Sequence, residues 1–181
     1  MNTKELGKGG PQVPVVCLGV WPLTGTYSTV SKGQAIATLR AAVDVGLAFI
    51  DTAEGYAGTE ALIGEALEGR RDEVFLTTKL SNRDHSQEHI DRAIGSSLRA
   101  LRTDRIDLYQ LHSPEPRWPI EDTMGHLLRH RDAGRIRYIG ISNFSTEQTA
   151  EVARLGPVHS SQPRYSLLFR DAEESAVPVC L

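Results

Sequence analysis

Short β-rich runs alternate with helical stretches along almost the whole chain, with no shift in composition that would mark a linker. Alternation at this pace restricts the fold to parallel strand-helix-strand units. Apolar runs at 13–20, 47–50, 74–79, 106–112, 136–141 and 158–162 read as six strands. Between them, Ile36, Leu39 and Val43 share one helical face behind a Ser31 N-cap and before a Gly46 stop. A second helix starts at Thr59, carries Leu62, Ile63, Ala66 and Leu67 at helical spacing, and ends near Gly69. Ile90, Ile94, Leu98 and Leu101 mark a long amphipathic helix, and Ile120, Met124, Leu127 and Leu128 mark the next, stopped at Gly134. Ser145-Thr146-Glu147-Gln148 has the form of a capping box for the fifth. Residues 1–14, with the turn signal Gly9-Gly10-Pro11, are expected to form an N-terminal hairpin.

Two architectures accommodate such units: an open doubly wound sheet and a (β/α)8 barrel. A nucleotide-binding doubly wound sheet usually carries a Gly-x-Gly-x-x-Gly turn after its first strand. Here that strand runs into Leu18-Gly19-Val20-Trp21-Pro22, which does not fit. The sequence therefore predicts an α/β fold of the (β/α)8 barrel type, with residues 1–181 as one partial barrel domain. A complete barrel takes about 250 residues, so 181 residues supply about six of the eight strand-helix units.

Composition narrows the partners. Twenty basic and twenty-three acidic residues give a net charge of −3 without a long run of either sign, which argues against nucleic acid. No stretch approaches the roughly 20 apolar residues of a membrane helix, and the first residues lack the apolar core of a signal peptide. Cys17 and Cys180 make neither a disulfide framework nor a metal-ligand spacing. The expectation is a soluble, cytoplasmic protein.

The chemistry gathers at the strand ends. Asp51 closes the second strand, Lys79 the third and His112 the fourth, while Tyr56 lies in the loop after Asp51. Taken singly, each has a plain reading: a helix-capping aspartate, a surface tyrosine, a solvated lysine, a loop histidine. In a barrel, however, those ends are neighbours on the rim where catalytic groups collect. A lysine at a strand end needs a counter-charge, which Asp51 supplies. A lysine near a phenol favours the phenolate and predicts a lowered tyrosine pKa, suiting Tyr56 to give a proton to an oxyanion. His112 would hydrogen-bond the same oxygen. Together they suit protonation of a carbonyl oxygen while its carbon is attacked. A metal-dependent hydrolase using His112 and Asp51 is the weaker alternative, because no His-x-His pair or second carboxylate cluster accompanies them.

Several segments carry a more specific likeness. They are Phe49-Ile50-Asp51-Thr52-Ala53 with Tyr56, Leu76-Thr77-Thr78-Lys79, Asp107-Leu108-Tyr109-Gln110-Leu111-His112, and the stretch from Gly134 to Phe144 containing Gly140-Ile141-Ser142-Asn143. On these the chain resembles the aldo-keto reductases. The resemblance implies a catalytic tetrad of Asp51, Tyr56, Lys79 and His112, and contacts from Ser142, Asn143 and Gln162 to a nicotinamide carboxamide. It also implies NADPH as cofactor, an aldehyde or ketone as substrate, and Trp21 as an aromatic wall of the substrate pocket. The family's seventh and eighth strands, with the residues that stack on the nicotinamide and hold the pyrophosphate and 2′-phosphate, have no counterpart before residue 181. Unpaired outer edges on the first and sixth strands are therefore expected to promote self-association. The alternative is a non-catalytic protein that keeps the tetrad, holds cofactor poorly and serves as an interaction partner.

Overall fold

Six strands lie side by side in the order in which the chain makes them, every neighbouring pair parallel, in a computed structural model that describes residues 1–81 and 83–180. Asn82 and Leu181 lie outside the described residues. Ahead of the sheet, β1 (Thr3–Glu5) pairs antiparallel with β2 (Gln12–Pro14). The sheet itself comprises β3 (Leu18–Gly19), β4 (Phe49–Asp51), β5 (Phe75–Leu80), β6 (Ile106–Leu111), β7 (Ile136–Ser142) and β8 (Ser160–Gln162). Its helices are α1 (Lys32–Asp44), α2 (Thr59–Ala66), α3 (Gln87–Leu101), α4 (Ile120–Asp132) and α5 (Thr146–Leu155), followed by the short α6 (Ala176–Cys180). This is an incomplete (β/α)8 barrel, a half-barrel with its helices on one face.

Local chemistry sets the helix starts. Ser31 and Ser145 each accept a hydrogen bond from the backbone N–H three residues on, and Gln34 and Gln148 reach back to the cap. Both capping boxes satisfy backbone donors that a helix start leaves orphaned.

The first core strand is shorter than the apolar run 13–20 suggested. Val13 is buried in the hairpin, and the Val15 N–H still donates to the Asn2 carbonyl at 3.0 Å. The chain then bends, leaving Val15 and Val16 each 52% exposed, and only Leu18 and Gly19 join the barrel sheet. One apolar run is thus shared between two sheets, and hydrophobicity alone does not mark the division. The sixth strand is shortened too, starting at Ser160 rather than 158.

Alternation along the strands gives the sheet two unlike faces. Ile50, Leu76, Leu80, Tyr109, Leu111, Ile139 and Ile141 are buried in one cluster with Ile63, Ile90, Ile94, Met124 and Leu127 of the helices. The inner face begins with an aromatic layer, where Phe49 meets Phe75 at 5.2 Å between centroids and Tyr138 meets His159 at 4.8 Å. Above it the lining turns polar. Gln110 donates to the Thr77 hydroxyl at 3.2 Å and to Asp51 at 3.4 Å, and accepts from Ser160 at 3.0 Å. Gly140 makes room for this crossing: a Cβ there would stand 2.9 Å from the Gln110 Cγ.

Candidate active site

The polar lining ends in an ion pair at the C-terminal rim. Lys79 is 1% exposed, and its Nζ donates to Asp51 Oδ2 at 2.6 Å and to the Thr52 carbonyl at 2.9 Å. A buried ammonium is tolerable only when paired and hydrogen-bonded in this way.

Tyr56 reaches the same place from the loop between β4 and α2. Its N–H donates to the Ala53 carbonyl at 2.9 Å, and its own carbonyl accepts from both the N–H and the hydroxyl of Thr59. The Thr59 hydroxyl also bonds Thr52 at 2.8 Å, so the loop is tied across its neck. The half-buried phenol ring lies with Lys79 Nζ 5.4 Å from its centroid. On its other sides, His112 stands edge-on at 5.7 Å and Trp21 edge-on at 4.7 Å. The structure thus brings Asp51, Tyr56, Lys79 and His112 together, with Trp21 against the tyrosine.

His112 follows β6 directly, its N–H donating to the Leu80 carbonyl at 3.1 Å. Asn143 holds the next strand end to it, donating from Nδ2 to the His112 carbonyl at 2.9 Å and to Ser142 Oγ at 3.0 Å. That contact needs Asn143 in the left-handed region, at φ 60°, a conformation asparagine adopts more readily than most residues. Ser142 Oγ donates in turn to the Gln162 carbonyl at 2.9 Å, so Ser142, Asn143 and Gln162 form one hydrogen-bonded corner. Gln162 joins through its backbone, and its amide side chain is exposed. The Asn143 side-chain carbonyl and the Gln162 amide remain as acceptor and donor groups suited to a primary carboxamide.

The electrostatics correct one expectation. Burial, and then the Asp51 carboxylate, push the Tyr56 phenol above its ordinary value rather than below it. The expectation weighed only the Lys79 charge; burial of the ring and the Asp51 carboxylate, to which Lys79 Nζ donates at 2.6 Å, act the other way. Burial and then the Lys79 charge push His112 down, keeping its imidazole neutral. The resting rim therefore offers a protonated phenol and a neutral imidazole.

Sequence reasoning missed Gln110, which braces Asp51 from within the barrel, and Ser81, whose hydroxyl lies 2.8 Å from His112 Nδ1. Strand register could have indicated Gln110, since it falls opposite Lys79 on the neighbouring strand. Ser81 carries no local signal. No group of three or more His, Cys, Asp or Glu side chains positioned to hold a metal ion occurs among the described residues, so the hydrolase alternative has no ligand set there. Nor is any helix among them long and apolar enough to cross a membrane.

The chain is similar to known proteins. The aldo-keto reductase YhdN of Bacillus subtilis is 38% identical over 191 residues, a match that covers 98% of this chain and 58% of that protein. Among solved structures, the thermostable aldo-keto reductase Tm1743, bound to the inhibitor epalrestat, superposes with a TM-score of 0.90 at 34% identity, over 96% of this chain and 66% of that one. An aldo/keto reductase from Klebsiella pneumoniae, in complex with NADP and acetate, gives 0.88 at 33% identity, over 97% and 63%. The chain thus spans less than two thirds of the length of each of these relatives. A model of the aldo/keto reductase family matches residues 15–181, nearly all of the sequence, and the chain belongs to that family.

Proposed function

We propose that the rim is the catalytic centre of an NADPH-dependent reductase that converts an aldehyde or ketone to an alcohol. The observation that carries this reading is the convergence of Tyr56, the Lys79–Asp51 pair and His112 beside Trp21 on one strand-end rim. The substrate oxygen lies between the Tyr56 hydroxyl and the His112 imidazole, each donating a hydrogen bond. The nicotinamide, when bound, supplies the hydride that reduces the carbonyl carbon. Tyr56 gives its proton to the oxygen as negative charge develops there. The phenolate that results forms beside the Lys79 ammonium, so that charge acts mainly in the transition state, where it accelerates the reaction. Solvent then returns the proton. Ser142, Asn143 and Gln162 would hold the nicotinamide carboxamide, and Trp21 would wall the substrate. The NADP complex of the Klebsiella relative supports the choice of cofactor. The test is NADPH consumption by the purified protein with a panel of aldehydes and ketones. Consumption that depends on the carbonyl is expected.

A second reading rests on the sheet edges. β3 and β8 stand at opposite ends of the sheet, not paired with each other, and Leu167 and Leu168 beyond β8 are 94% and 87% exposed. On this reading the 181-residue chain holds cofactor poorly and associates through its open edge. Fluorescence titration with NADPH separates the two: micromolar binding supports the reductase, and absent binding the alternative.

A further inference from the structure

Ser81, just past the end of β5, is held from three directions. Its N–H donates to Glu54 Oε1 at 2.7 Å, its Oγ lies 3.3 Å from the Gly55 N–H, and the same Oγ lies 2.8 Å from His112 Nδ1. The approach to Gly55 is specific to glycine. A Cβ at position 55 would stand 2.9 Å from the Ser81 Cβ and 3.1 Å from its Oγ.

A hydroxyl has one proton to give and two lone pairs to receive with. A backbone N–H can only donate, so the Gly55 contact occupies a lone pair of Ser81 Oγ. Were His112 Nδ1 also a donor, the hydroxyl would accept twice and its own proton would lack an acceptor among the described residues. The arrangement that uses every group has Ser81 Oγ–H donating to an unprotonated Nδ1. A neutral imidazole carries its single proton on the other nitrogen. We infer that Ser81 is a positioning residue that fixes His112 as the Nε2–H tautomer, with Gly55 orienting the Ser81 hydroxyl.

The consequence rests on the proposed carbonyl reduction: Nε2–H is then a second hydrogen-bond donor for the carbonyl oxygen, beside the Tyr56 phenol. The opposite tautomer would present a lone pair to that oxygen and repel it. Partner-set tautomers are a general means of orienting catalytic imidazoles, and the partner here comes from the adjacent strand end.

The tautomer can be read without any turnover. Long-range nitrogen–proton correlation spectra of the full chain, labelled with nitrogen-15 histidine and recorded at pH 8, report which ring nitrogen is protonated. His112→Asn assigns the signal by its disappearance. The wild-type protein is expected to show the Nε2–H pattern as nearly the sole form. Ser81→Ala should give a mixture of both tautomers, and Ser81→Thr, which keeps the hydroxyl, should restore the wild-type pattern. A wild-type Nδ1–H pattern, or an unchanged ratio in a folded Ser81→Ala, overturns the inference. A wild-type Nδ1–H pattern overturns the inference even if the alanine variant does not fold. An Nε2–H pattern that Ser81→Ala mixes and Ser81→Thr restores, in a protein that reduces no carbonyl, upholds the inference and overturns only the proposed reaction.

Discussion

Buried carboxylate–cation clusters sit at both ends of these strands, and they differ in what they leave over. At the N-terminal end, Asp107 accepts from Arg71 at 2.7 Å, from the Leu76 N–H at 2.9 Å and from Arg137 at 3.1 Å. Arg71 further donates to the carbonyls of Val74 and Arg105 and to the Thr103 hydroxyl. That cluster is saturated and ties three strands into one frame. At the C-terminal end, Lys79 and Asp51 pair as closely, but the pair lies beside a half-buried phenol that an imidazole and an indole flank. The same ion-pair chemistry therefore builds a scaffold at one end and, on the proposed reading, a reaction site at the other. Conserving energy in the frame and leaving donors unspent at the rim is what a barrel enzyme requires.

The comparison predicts that substitutions at the two ends fail in different ways. Tyr56→Phe is expected to lower turnover by about 10²–10⁴-fold, the usual contribution of a general acid, with melting temperature unchanged. Steady-state kinetics beside calorimetry checks this, and turnover within tenfold of wild type would remove Tyr56 as proton donor. Asp107→Ala should do the reverse. Breaking a buried pair by deleting one partner costs roughly 3–5 kcal/mol, a large part of a domain stability of about 5–15 kcal/mol. Whatever fraction stays folded should keep its turnover per folded molecule. Lys79→Met sharpens the contrast, because it should lose both stability and turnover. Equal behaviour of the Asp107 and Lys79 variants in urea titrations and assays would break the distinction.

A smaller effect concerns pH. The raised Tyr56 pKa keeps the phenol protonated to a higher pH than in free tyrosine, so the alkaline limb of kcat/KM should lie above about 10. The lowered His112 pKa keeps the imidazole neutral to a lower pH, so the acidic limb should lie below about 6.5. A flat profile between those values is expected, and an alkaline limb near pH 8 would mean that Lys79 does lower the phenol pKa. The smallest effect is association. The outer edges of β3 and β8, with Leu167 and Leu168 exposed, should give concentration-dependent self-association in light scattering. A monomer at every concentration would show these edges to be protected.

How much of this could be read in advance follows the same division. The strand-helix alternation and both serine capping boxes are local features, with their signals contained in a few neighbouring residues. The gathering of Asp51, Lys79 and His112 was legible because each terminates a strand and parallel topology makes such ends neighbours. The split of the 13–20 run was not legible, because Val15 and Val16 are as apolar as the residues beside them. Ser81 and the direction of the Tyr56 shift were hidden for a further reason. Each depends on distances between groups far apart in sequence, such as the 2.8 Å approach of the Ser81 hydroxyl to His112 or the burial of the Tyr56 ring. Position along the chain gives the residue types at the rim and the Lys79–Asp51 pairing, and the folded arrangement adds the remaining partners and the burial.

Isotope transfer tests the central claim most directly. The purified protein is mixed with an aromatic aldehyde and NADPH carrying deuterium at the transferable position of the nicotinamide, and the alcohol is analysed by mass spectrometry. The rim described here predicts one deuterium on the carbinol carbon with the wild-type chain and almost none with Tyr56→Phe. No labelled alcohol from the wild type, or equal amounts from both proteins, would contradict it.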